Sequence, residues 1–322
     1  MPDTDSHSFS LISEPGIETI YTPTEQDTDD YDFVFEDGRS ECVQQDNGSS
    51  CCTSLAPSML DYEHSNGRRY HAYLSGRYPL PNDKGERCRE LAEHILMQHL
   101  LDGELFLSDI GDKPKKIIDI GTGTGAWAID VADLYPGASV IGTDLSPTQP
   151  KSMPLNACMF VEDCEDPHIR SGGWIEFQDF DYTVCCDNGT MKKDDPLQVF
   201  FDTCARGMRK YGCTNFGQSN IRESLVFAGF TQVEVVNKKV PIARWPKDEG
   251  LKDIGTMMEA NISDLIGAIA IKPLIALGMS ADERKGMISQ ACQSLKKGKA
   301  HRYMNCRIVF GKKDGDEGAC KS

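Results

Sequence analysis

The feature that most constrains this chain is nine residues long. Ile117–Gly125 reads IIDIGTGTG, an apolar β-branched run interrupted by an acid, then three glycines alternating with two threonines. The run Lys115–Ile120 is short, apolar and β-branched, which predicts a buried strand. Trp127–Tyr135 (WAIDVADLY) predicts a helix stopped by Pro136–Gly137, and Ser139–Thr143 predicts a second strand. Strand, glycine turn, helix and strand within about thirty residues begin a parallel α/β sheet.

The loop also limits the chemistry. Glycines tolerate positive φ and leave room for a ligand against the backbone. Free N–H groups at the start of a helix favour a negative or electron-rich group. The spacing is D-x-G-x-G-x-G, not the G-x-G-x-x-G of a dinucleotide site. Asp144 ends the second strand, where an acid accepts hydrogen bonds from both hydroxyls of a ribose. Loop and strand-end acid together predict an adenosine cofactor. The bland reading is a tight turn followed by a solvent-exposed aspartate.

Composition narrows the class. The 322 residues hold 50 acids against 34 bases, a formal charge of −16, so phosphate backbones are not attracted and direct nucleic-acid binding is disfavoured. No run reaches the ~18 apolar residues of a membrane span. The acidic, polar start MPDTDSHSFSLISEPG is the opposite of a signal peptide. Thirteen cysteines, an odd number without C-x-x-C spacing, predict free thiols in a reducing compartment and no metal site. Charge is uneven: residues 1–60 carry thirteen acids against the single base Arg39. That stretch predicts a disordered acidic tail, a solubilising extension or an interaction arm. Residues 61–315 are expected to be the folded domain, and 316–322 a disordered C-terminus.

Further elements follow from periodicity. Lys84–Leu101 predicts a helix whose buried face is Cys88, Leu91, Ile95 and His99. Gln218–Ala228 and Leu251–Ala270 predict helices, and Ser280 with Glu283 a capping box that starts another. Thr231–Val240 and Arg302–Phe310 predict strands.

Four blocks then carry a resemblance: NGRRYHAYLSGRYPLPND (Asn66–Asp83), IIDIGTGTGAWAIDVADLYPGASVIGTDLSPTQP (Ile117–Pro150), GGWIEFQDFD (Gly172–Asp181) and VPIARWPKD (Val240–Asp248). In these blocks the chain resembles the fungal LaeA-like class I methyltransferases, also called TAM-domain or UMTA-type. The resemblance implies a seven-stranded Rossmann-like α/β sheet with S-adenosyl-L-methionine over its carboxyl edge, and an N-terminal helical extension. It implies that Asp119, Gly121, Gly123 and Gly125 line the cationic methionyl end, that Asp144 holds the ribose and that Asp163 meets the adenine amino group. It places Tyr70 and Tyr73 in a block that closes over the cofactor, or packs as a first helix onto the body.

One departure stands out. Only residues 167–171 join Asp166 to Gly172, where the family has a strand and a helix. Five residues cannot make a parallel crossover, which needs about a dozen. The fourth, central strand is therefore expected to be missing or rearranged. Trp174–Phe177 sliding beside Ile117–Ile120 would heal the gap and bring Glu176 or Gln178 to the cofactor. By residue type His71, His168 and Glu176 are candidate bases for a phenol or alcohol acceptor.

Three readings compete: an active methyltransferase of fungal secondary metabolism with a small-molecule or protein acceptor, a catalytically impaired relative acting as a regulator or partner, and a nicotinamide oxidoreductase. The cluster Lys296, Lys297, Lys299 and Arg302 reads as a nuclear address or as charge complementing a helix C-terminus, for a cytoplasmic or nuclear protein.

Overall fold

A computed structural model describes residues 61–150, 152–163, 169–213, 220–297 and 299–314. The tail expected over 1–60 and the terminus 316–322 lie outside the described residues, as does His168.

The first described segment is a β-hairpin, not a helix: β1 (Tyr62–Ser65) and β2 (Arg68–His71) pair antiparallel across a turn at Asn66-Gly67, both at positive φ. It is followed by α1 (Lys84–Leu100), capped by Asp83, whose side chain accepts from Glu86 N–H at 3.1 Å. Arg68 bonds Asp83, and Arg69 bonds the Asn82 side chain and carbonyl. Hairpin, loop and helix start are thus one knitted unit.

Then come β3 (Lys116–Ile120), α2 (Ala126–Leu134), β4 (Ser139–Asp144) and β5 (Ala157–Val161), in a parallel sheet of order β3-β4-β5. A small core of Ala128, Val131, Ala132 and Val140 holds α2 on this sheet. The second half runs β6 (Trp174–Phe180), α3 (Pro196–Tyr211), α4 (Ile221–Phe227), β7 (Phe230–Pro241), α5 (Glu249–Ile269), α6 (Ile271–Ala276), α7 (Ala281–Lys297) and β8 (Tyr303–Lys313). Its strands form an antiparallel sheet of order β6-β8-β7, covered by the larger core, to which Phe200, Ile262, Ile266 and Ile308 belong.

Among the described residues the seven-stranded sheet is therefore replaced by two sheets of three strands, broken where the fourth strand was expected. β3 pairs only with β4 and β6 only with β8, so each keeps one unpaired edge among the described residues. Trp174–Phe177 does not move beside Ile117–Ile120. The segment after α1 ties the halves together instead. Leu105 O accepts from Trp127 Nε1 of α2 at 2.8 Å and from Gln178 Nε2 of β6 at 3.0 Å. Leu107 N–H and Ser108 N–H both donate to Glu176. Ile118 and Ile120 are half-exposed, an unusual state for a strand of this type.

The face assigned to α1 is also corrected. Leu91, Ile95, Cys88 and His99 are exposed, whereas Glu86, Arg89, Leu96 and Leu100 are buried. Arg89 makes the polar face inward: it donates to Glu86 at 2.7 Å, to Glu93, and to Asn261 of α5 at 3.4 Å. No helix among the described residues is long and apolar enough to cross a membrane.

Candidate functional site

A cleft of about 450 Å³ opens at the carboxyl ends of β3 and β4. That size suits a small organic ligand. Its floor is the loop Ile120–Thr124 with the strand end Thr143–Ser146. One wall is Tyr78–Asn82 and the inner face of α1, through Arg87, Glu90, Glu93 and His94. Trp127 of α2 and Glu162 and Asp163 after β5 complete it. The knitted hairpin unit fixes the first wall: His71 puts both ring nitrogens on main-chain carbonyls, of Tyr73 at 2.7 Å and Tyr78 at 3.0 Å. Asn82 donates to Ser146 Oγ at 3.1 Å, bonding that wall to the end of β4.

Asp144 anchors the floor. Its Oδ2 accepts from Gly123 N–H at 3.0 Å and its Oδ1 from Ser146 N–H at 2.8 Å. A carboxylate has about four acceptor positions, so each oxygen keeps capacity for a ligand hydroxyl. Burial pushes this carboxyl above the usual range, while the two N–H donors pull it down. Gly123 has φ +53°, and a Cβ there would lie 2.9 Å from Glu90 Oε2. The α1 carboxylate thus rests against the loop, where only glycine leaves room. Desolvation first, then the charges of Glu86, Asp144 and Glu93, push Glu90 up to about 8 against the pull of Arg89.

Of the residues expected here, Gly121, Gly123, Asp144 and Asp163 are in the cleft wall. Asp163 also pairs with Arg77 at 3.1 Å. Asp119 is not in the wall: its Oδ2 accepts from Thr122 Oγ1 at 2.6 Å, and burial pushes it up, with Asp144's charge adding to the rise. Gly125 is the left-handed residue before α2, and its open side faces Met159 and Gln149. Tyr70 and Tyr73 do not line the cleft. Tyr70 is fully buried with the Lys272 ammonium over its ring, and it belongs to the hairpin rather than to a lid or a first helix. Tyr78 takes the aromatic place in the wall.

Two of the candidate bases, Glu176 and His71, have other work. Glu176 accepts four hydrogen bonds, from Leu107 N–H, Ser108 N–H, Ser108 Oγ and Gln178 Nε2, and so closes the break between the sheets. His71 has no nitrogen left for a substrate. Arg302 leaves the expected basic cluster: it is buried against Asp195 at 2.5 Å. Arg87, Glu90 and His94 were not foreseen, although their spacing of three and four puts them on one face of a helix.

The chain was compared with known proteins. No protein-family model matches it. Methyltransferase pytC of Aspergillus terreus is 33% identical over 251 residues, covering 68% of this chain and 78% of that protein. The secondary metabolism regulator laeA of Aspergillus flavus is 27% identical over 274 residues, covering 70% of this chain and 71% of that protein. Among solved structures, phosphoethanolamine N-methyltransferase 2 of Haemonchus contortus is 16% identical, with a TM-score of 0.41 over 76% of this chain and 62% of that one. That overlap is too loose to bear on the site. The identity with pytC over most of both chains decides the class, and the chain belongs to the fungal LaeA-like methyltransferase family.

Proposed function

We infer that the protein is an S-adenosyl-L-methionine-dependent methyltransferase of fungal secondary metabolism, acting on a small-molecule or protein acceptor. The observation that carries this is the cleft between the glycine loop and Asp144. Its carboxyl groups at Asp144 and Glu90 are held above their ordinary range by burial, which an incoming positive charge would offset. A ligand that joins a ribose to a sulfonium and an ammonium answers both features, whereas a pyrophosphate meets repulsion. This fit supports the cofactor over a nicotinamide dinucleotide, as does the loop spacing.

When bound, the cofactor supplies an electrophilic methyl group. The chain's own part is orientation and exclusion of water. Asp144 takes the ribose hydroxyls, and the Tyr78–Asn82 wall covers the loop. Alignment of an already nucleophilic acceptor with the methyl group suffices for transfer, and no side chain is assigned as base. The broken sheet favours a second reading, a binding-competent protein with impaired transfer that acts as a regulator. Methyl-labelled cofactor incubated with the protein and fungal culture extracts separates the two. Label transferred to an extract component, and lost in Asp144→Ala, supports the enzyme. Cofactor binding without transfer to any extract favours the regulator. Binding of NADH in its place would sink both.

A further inference from the structure

Asp119, expected to face the cationic end of the cofactor, has its carboxylate bonded to Thr122 and does not line the cleft, so the charged end needs other partners. Two side chains on α1 meet the requirement. Arg87 lines the cleft, and its Nε is buried there without a hydrogen-bond partner among the described residues. No ion pair of this guanidinium is found among them either, unlike its neighbours: Arg68 is held by Asp83, and Arg89 by Glu86 and Glu93. A buried donor left unpaired is costly and points to an acceptor that arrives with a ligand. Three residues on, and so on the same face of the helix, Glu90 sets its carboxylate against Gly123. An unpaired guanidinium and a carboxyl group with no hydrogen bond or ion pair among the described residues, one helical turn apart beside a glycine loop, match the two charged ends of an α-amino acid.

We propose that Arg87 and Glu90 form a clamp for the amino-acid end of the methyl donor, Arg87 taking the α-carboxylate and Glu90 the α-ammonium. This rests on the cofactor reading above and goes beyond it by naming the residues, on a helix outside the nucleotide-binding unit, that tell the donor from a plain adenosine thioether. The charged groups facing Glu90 are Glu86, Glu93 and Arg89 of its own helix and Asp144 of β4, with Tyr78 in the adjoining wall. Arg89 is already shared between Glu86 and Glu93, so an ammonium is the missing counter-charge. Glu90 is pushed up to about 8 in the empty cleft, so donor binding near neutral pH displaces a proton from it.

The test is calorimetry on the full chain with three probes: S-adenosylmethionine, S-adenosylhomocysteine and 5′-methylthioadenosine, which lacks the amino-acid end. Wild-type protein is expected to hold the first two at least about tenfold more tightly than the third. Arg87→Met and Glu90→Gln each lower affinity for the first two by about ten- to a hundredfold and leave the third within about twofold. In buffers of different ionisation enthalpy, wild-type protein releases protons on binding S-adenosylmethionine, and Glu90→Gln releases fewer. A wild-type protein that binds all three equally overturns the clamp and leaves the cofactor reading intact. So does a variant that loses all three in proportion. The wild-type ranking and its proton release decide the matter even if a variant does not fold. If none of the three binds, the cofactor reading itself falls.

Discussion

Glu90 shows how a single residue couples the site to stability. Its folded pKa of about 8 lies above the ordinary 4.5. Protonation therefore favours the folded state: Glu90's contribution is full below about pH 4.5 and is lost as pH rises through 8. Glu90→Gln is expected to be more stable than wild type at pH 8.5, on the order of 1–3 kcal/mol, and equal to it near pH 4. Thermal unfolding of both proteins across that range checks the sign, and a gap of the same size at both ends contradicts it. Gly123 makes the complementary case. Gly123→Ala places a methyl at positive φ against the Glu90 carboxylate, so the cofactor is expected to be lost at least about tenfold, with roughly 1–2 kcal/mol of stability. The loop was legible from sequence because glycine spacing is a backbone property. Which carboxylate would enter the cleft was not, since Asp119 and Glu90 differ only in how Thr122 and α1 pack around them.

At the scale of elements, local signals were read well where they were local. The Ser280–Glu283 capping box is present: Ser280 N–H and Oγ donate to Glu283 at 2.7 and 2.8 Å, and Glu283 N–H donates back to Ser280 Oγ at 3.3 Å. The boundaries of α1, β3, α2 and β4 follow the sequence within a residue. The face of α1 was misread because apolar spacing does not reveal that a buried ion network can outbid Leu91 and Ile95 for the inside. α3 escaped notice for a related reason, its N-terminus being fixed by a distant partner. Asp195 caps it through Leu197 N–H at 3.1 Å and receives Arg302 from just before β8, with Ser294 of α7 completing the network. Both charges are nearly sealed from solvent. Asp195→Ala leaves Arg302 buried and unpaired, and is expected to cost about 3–5 kcal/mol in denaturant unfolding. A loss under about 1 kcal/mol would show that water reaches the pair.

The described body is a methyltransferase sheet divided in two. The loss of a crossover was legible by setting the five residues 167–171 against the family's blocks, whereas the open break was not, since Trp174–Phe177 beside Ile117–Ile120 would have healed it. How the halves would be joined was not foreseeable, because it depends on Glu176, Gln178 and Trp127 meeting the segment Leu105–Ser108. The division sets unequal costs for similar substitutions. Ile120, 51% exposed at the open edge, is expected to lose less than about 1 kcal/mol on truncation to Ala, whereas fully buried Ile308 loses about 2–5. Equal losses would mean that the edge is covered in solution. Whether the division spares the cofactor site is the central question. The most direct measurement titrates S-adenosylmethionine into the full chain and into Asp144→Ala, following Trp127 in the cleft wall by fluorescence. Saturable binding by the wild type, weakened at least about tenfold by loss of the carboxylate, is the predicted result. A folded wild-type protein that does not bind, or binds equally without Asp144, contradicts the account.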